Sequence, residues 1–235
     1  MYKKFISFLQ KIENNIFPGR CAACHQTGPA ICPACRAKIK SLPIICPLCG
    51  QKESPLGIIC SKCDNPYSFD GLIAYGSYED SNLKAALHAL KYQGAKEIGY
   101  LLGKMLGRRL LATWRHHRGD TPILIPLPLH PRRLRERDYN QALLLTEGIA
   151  TITKWPIQSV GLNRTRYQVP SARLGYRNRQ QHDKIFAYKG DDLSNHIVIL
   201  IDDVITTGET ASAAALALKD GGTKTVIVAT MARAS

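Results

Sequence analysis

The sequence predicts an α/β fold with a mainly parallel sheet, preceded by a small cysteine-rich module. Three observations lead there. All eight cysteines fall between Cys21 and Cys63, and each belongs to a Cys-X-X-Cys pair. Beyond them, residues 122–127 and 197–201 are continuous apolar runs. Continuous rather than alternating apolarity is the mark of a strand buried on both faces, as parallel strands are. Helical spacings lie between these runs, and strand–helix alternation produces a parallel sheet with helices on its faces.

A chain of 235 residues accommodates one large domain, or one medium domain with a small module. A hydrophobic fraction of 45% argues against a disordered chain. The net charge of +14 points to a polyanionic partner: nucleic acid, an anionic membrane surface or a phosphorylated small molecule.

Residues 1–18 carry Phe5, Phe8, Leu9, Ile12 and Ile16 at helical spacing and predict an amphipathic helix. Gln10, Lys11 and Glu13 interrupt the apolar run before it can become a secretory signal. The sequence has no run of about 18 apolar residues, so no membrane span is expected. The expected location is the cytoplasm.

Residues 19–66 predict a double zinc ribbon. The pairs are Cys21/Cys24, Cys32/Cys35, Cys46/Cys49 and Cys60/Cys63. A Cys-X-X-Cys turn aims two thiolates at one centre, and two turns complete a tetrahedral, closed, structural site. Two zinc ions are expected. The pairing can be sequential or crossed. His25 is expected to be a bystander. With so short a segment, the metal should supply much of the folding free energy.

Residues 67–235 predict the α/β domain. Residues 70–78 suggest a strand or hairpin, followed by helices over 81–90 and 97–114 with a basic turn at 91–96. Strand 122–127 leads into a basic loop at 128–138 and a helix from about Tyr139 to Thr153. Residues 157–160 and 185–188 are candidate short strands. Residues 163–181 show no clear period and carry five arginines. Strand 197–201, a loop, helix 209–220 and strand 225–231 complete the pattern.

The chemistry concentrates in the last unit. Two acids, Asp202 and Asp203, follow the apolar strand; Thr206, Thr207, Gly208, Glu209 and Thr210 then open a helix. A helix N-terminus offers unpaired N–H groups and a positive dipole end, which suits a phosphate. Carboxylates accept bonds from vicinal hydroxyls. The combination fits a phosphorylated sugar.

These residues resemble the signature of the type I phosphoribosyltransferases, which bind 5-phosphoribosyl 1-diphosphate (PRPP). The resemblance implies that Asp202 and Asp203 bind the ribose hydroxyls and that Thr206–Thr210 hold the 5-phosphate. Further stretches, residues 83–94, 125–149 and 164–179, look like the ComF family, whose members join zinc ribbons to a phosphoribosyltransferase-type domain. By order along the chain, Arg132, Arg133, Arg135 and Arg137 are implied to receive diphosphate, with Lys91 as a further substrate-binding candidate. Arg164, Arg166, Gln168, Arg173 and Arg177 correspond to the flexible hood. One departure stands out: the family's Arg-Gly-Phe-Asn-Gln is here Arg137-Asp138-Tyr139-Asn140-Gln141, so an altered loop backbone is expected.

The resemblance implies transfer of a 5-phosphoribosyl group from PRPP, with Mg²⁺, to an acceptor the sequence does not reveal, in natural transformation, DNA uptake or nucleotide salvage. A PRPP sensor without turnover is the alternative. Single-stranded DNA and other competence proteins are candidate partners, with Tyr139, Tyr167 and Tyr176 able to stack on bases.

Overall fold

The computed structural model describes residues 19–50, 54, 56–115, 121–165 and 185–234. The expected helix over 1–18 lies outside the described residues, as do Arg166, Tyr167, Gln168, Arg173, Tyr176 and Arg177.

A short helix, α1 (Pro33–Ala37), sits within the cysteine module. Then follow β1 (Gly71–Ser77), α2 (Ser81–Tyr92), α3 (Lys96–Trp114), β2 (Ile123–Pro126), α4 (Pro131–Arg137) and α5 (Gln141–Thr153). The chain continues through β3 (Leu162–Arg164), β4 (Phe186–Tyr188), β5 (Ile197–Ile205), α6 (Glu209–Asp220) and β6 (Thr225–Arg233). The main sheet has the order β1-β6-β5-β2 and every pairing is parallel. β3 and β4 form a separate antiparallel pair.

The apolar runs are strands because both their faces are covered. Ile199, Ile201, Ile227 and Met231 face one core with Leu83, Leu87, Leu90, Leu102 and Leu145. Val198, Leu200, Val226 and Val228 face the other with Ala214, Leu218, Leu162 and Phe186. Thus α2, α3 and α5 lie on one face, and α6 with the β3–β4 pair on the other.

Helices α3 and α5 approach closely because glycines meet there. A Cβ on Gly103 would stand 2.2 Å from the Leu145 carbonyl oxygen, and one on Gly148 would stand 2.5 Å from that of Tyr100.

Of the strand and the hairpin expected over residues 70–78, the structure forms the strand, because β6 pairs along its length. The structure departs from the sequence reading in three places. Ile157 contributes only an isolated bridge to Leu124. The basic stretch 128–138 contains α4, with Pro131 opening the helix and the His130 ring nitrogen accepting from Arg132 N–H. Finally, β5 does not stop before the acids but runs through them to Ile205, because β6 continues to pair with it (Asp202↔Thr230, Val204↔Ala232, Ile205↔Arg233).

Candidate metal centres and a sugar-phosphate site

The cysteines form two clusters, Cys21/Cys24/Cys32/Cys35 and Cys46/Cys49/Cys60/Cys63. The pairing is therefore sequential. Within each cluster the sulfurs lie within 4.8 Å of one another. Cys24–Cys32 and Cys49–Cys60 stand at 3.8 Å, and Cys46–Cys63 at 3.9 Å. A tetrahedral ion bound at about 2.3 Å separates its sulfurs by about 3.8 Å. All eight thiols are free of disulfides.

Electrostatics fits the same chemistry. Burial works against ionising Cys21 and Cys46, but backbone N–H groups outweigh it and bring both thiols down to about 6. One such bond runs from Cys32 N–H to Cys21 Sγ (3.4 Å), its counterpart from Cys60 N–H to Cys46 Sγ (3.4 Å). In each cluster a second thiol resists ionisation. Burial and the neighbouring sulfurs push Cys35 up to about 12; bonding to Cys60 and burial do the same to Cys63. A dication relieves that mutual repulsion, so both clusters can hold zinc. His25 is exposed and belongs to neither cluster.

The second site lies at the carboxyl end of the sheet. β2 pairs with β5 only as far as Pro126↔Ile201, and Leu127 N–H makes the last bond, to the Ile201 carbonyl. β5 continues past that point. The connection after β2 packs α5 on one face, whereas the connection after β5 packs α6 on the other. Adjacent strands that send their connections to opposite faces leave a crevice between them, where open parallel sheets bind ligands.

Asp202 and Asp203 stand at this crevice. Successive strand residues point to opposite faces. Asp203 shares a face with Ile199 and Ile201, where Lys91 Nζ from the last turn of α2 meets its Oδ1 at 3.1 Å. Asp202 shares the other face with Val198 and Leu200 and accepts from the Asp203 N–H at 2.8 Å. Burial, then the Asp203 charge, pushes the Asp202 carboxyl up to about 7; Lys91 and Arg164 pull against that rise.

The loop that follows exposes its hydroxyls and the start of a helix. Gly208 adopts φ 80° as the residue before α6 and supplies no side-chain cap. Thr206, Thr207, Glu209 and Thr210 are exposed. Thr207 Oγ1 makes one long contact to Glu209 N–H, at 3.5 Å. The first-turn N–H groups of a 12-residue helix therefore face outward with little internal competition.

Beside the acids opens a cleft of about 630 Å³. Lys91, Lys96, Arg133, Arg135 and Arg137 line it, together with Tyr92, Tyr139 and the acids Glu136 and Asp138. Lys91 joins the cleft to Asp203. Arg132 does not line it; its side chain pairs at 3.1 Å with Glu136, which does. Of the residues implied for diphosphate, Lys91, Arg133, Arg135 and Arg137 thus share one cleft, and Lys91 links it to Asp203. Tyr92 and Lys96 belong to the cleft although sequence reasoning gave them only a turn.

Asp138 takes φ 66° and ends α4 in the left-handed region. That region favours glycine, and aspartate is among the few other residues that tolerate it. Tyr139 donates its hydroxyl to the Leu90 carbonyl and lies under Lys96 Nζ, 5.0 Å from its ring centroid.

Fold and site define an α/β protein with two four-cysteine clusters able to hold metal and a crevice at the carboxyl end of a parallel sheet. No family model matches the chain. It is 28% identical over 228 residues to competence protein F of Haemophilus influenzae, covering 94% of this chain and 99% of that protein. It is 31% identical over 152 residues to the DNA utilization protein YhgH of Escherichia coli O157:H7, covering 62% of this chain and 65% of the relative. Competence protein ComFC of Bacillus subtilis matches at 32% over 100 residues, 43% of this chain and 39% of that one. These similarities to proteins named for competence and DNA utilization support the resemblance to the ComF family. Among the described residues no helix is long and apolar enough to cross a membrane.

Proposed function

We propose that this protein binds PRPP as its Mg²⁺ complex and transfers the 5-phosphoribosyl group to an acceptor, releasing diphosphate. The observation that carries this reading is the acid pair of β5 running directly into the exposed Thr206–Thr210 loop at the switch point of the sheet. Asp202 and Asp203 accept the ribose hydroxyls. The loop amides and threonine hydroxyls hold the 5-phosphate. Lys91, Arg133, Arg135 and Arg137 receive the diphosphate. As the C1–oxygen bond to diphosphate breaks and the acceptor's lone pair bonds C1, these cations stabilise the negative charge that leaves. In this reading residues 19–66 are the zinc-bearing unit and 67–235 the transferase unit, working in the cytoplasm.

The test is diphosphate release from Mg²⁺–PRPP across a panel of bases and amines. Release that depends on one acceptor establishes the transferase. Binding without release under any acceptor replaces it with a PRPP sensor.

A second reading draws on a different observation. The cleft sets five cations beside Tyr92, which is 66% exposed, and the relatives are named for competence and DNA utilisation. A basic groove with an accessible ring suits single-stranded DNA. Affinity for a short oligonucleotide should then fall steeply with salt. Displacement of the oligonucleotide by PRPP would put both ligands in one zone.

A further inference from the structure

We propose that Tyr67 is a positioning residue for the loop 206–210, and that the second four-cysteine site holds it there. The functional weight of this inference rests on reading that loop as the phosphate loop.

Gly208 fixes where the first amides of α6 point. Its conformation is left-handed, and a Cβ there would stand 2.9 Å from Tyr67 Cε1 and 3.3 Å from Cζ. The Tyr67 ring therefore closes directly on the glycine. Its position is backed by Phe69, stacked at 4.6 Å and 10° and itself 1% exposed. Ser68 N–H donates to Ser212 Oγ, one turn into α6, at 2.9 Å. Asp70 accepts from Lys219 Nζ at the far end of α6 and from Val226 N–H, both at 2.8 Å. Residues 67–70 thus grip α6 at both ends.

What aims this segment lies upstream. Asn65 accepts from Tyr67 N–H and donates to the Phe69 carbonyl, both at 2.9 Å. Asn65 follows Cys63 by only two positions. On its other side the module is tied to the same strand entry: Ile59 N–H donates to Asp70 O at 2.9 Å, and Leu72 N–H to Gly57 O at 3.0 Å. Metal held by Cys46, Cys49, Cys60 and Cys63 fixes the Cys60–Cys63 turn. That turn fixes Asn65, and through it Tyr67. The cysteine module thereby reaches the phosphate loop through a chain of packed and hydrogen-bonded groups.

The test is amide hydrogen exchange in the full-length protein, with residues 198–201 of β5 as the internal control for folding. Tyr67→Ala should raise exchange at residues 206–212 by about three- to tenfold, the range an aromatic contact of this kind supports, and leave 198–201 unchanged. Stripping zinc with a chelator should raise exchange at 206–212 in wild type, add little in Tyr67→Ala, and reverse when zinc is restored. Unchanged exchange at 206–212 in Tyr67→Ala would overturn the proposal. So would a chelator effect of equal size in both proteins, which would mean the metal acts by another route. None of these readings needs a ligand. Coupling without any PRPP binding would uphold the inference and sink the ligand reading instead.

Discussion

The cysteine module and the parallel sheet are held together by different means. In the sheet, β5 and β6 are sandwiched between two apolar cores, and residues 198–201 and 226–229 are inaccessible to solvent. In the module the buried apolar side chains are few, and three of them are the cysteines Cys21, Cys35 and Cys46. A segment this poor in apolar side chains cannot offset its ordering entropy without ligation. The two regions are nonetheless joined. Ile31, Ile39 and Leu56 of the module share one core with Ile73 and Leu83, and Arg233 donates to the Pro47 carbonyl at 3.0 Å. A short metal-held unit can thus gain stability from a neighbour and also shape it.

Metal removal should separate the regions most sharply. Apparent binding free energies of structural zinc sites are about 10–16 kcal/mol. Chelation should therefore expose residues 21–63 to protease while far-UV circular dichroism of the sheet domain persists. Simultaneous collapse of both would mean that the shared core, not the metal, dominates.

The next largest effect should come from the sheet's side of the comparison. Gly103→Ala drives a methyl into the Leu145 carbonyl and should cost about 3 kcal/mol. For a chain of this size that lowers Tm by roughly 6–12 °C, and zinc content should not change. Loss of zinc in this variant would show that the module depends on the α3–α5 contact.

A smaller effect concerns pH. Asp202 keeps its proton in the folded state to about 7, against 3.8 for an ordinary aspartate. As pH rises between those values the unfolded chain ionises first, so the folded state loses stability relative to it. The loss is complete above about 7. The Tm advantage of Asp202→Asn over wild type should grow across that window and then level off. An advantage independent of pH would contradict the half-buried, charge-crowded setting of Asp202.

Least affected should be Arg132→Ala. Its ion pair with Glu136 is exposed, and such pairs contribute about 0–1 kcal/mol. Inhibition by diphosphate should also change less than in Arg133→Ala, whose side chain lines the cleft. Equal effects would place Arg132 in the site after all.

How legible each part was in the sequence follows from how its residues are distributed. The acid pair, the glycine and the threonines lie within one short stretch, and strand, loop and helix follow in order, so that half of the site could be read directly. The basic cleft is composite, drawn from the α2–α3 turn and α4. Charge announced its arginines but not which of them face inward. Helix α4 was hidden because none of its residues is buried, so no apolar period marks it; only Pro131 and the capping His130 signal it. The cysteine spacing announced two metal sites, while the sequential pairing needed the fold. Tyr67 left no trace, since its partner Gly208 lies far along the chain and an isolated tyrosine carries no periodic or spacing signal.

The central claim is that the acids of β5 and the loop after them bind a phosphorylated ribose. Its most direct test is calorimetric titration of Mg²⁺–PRPP into wild type and Asp203→Asn, with zinc content and Tm measured on the same samples. The account predicts saturable binding to wild type that is weakened at least about tenfold, a loss of some 1.4 kcal/mol, in a variant that remains folded and zinc-loaded. Equal affinity in the two proteins, or no binding to wild type, would contradict it.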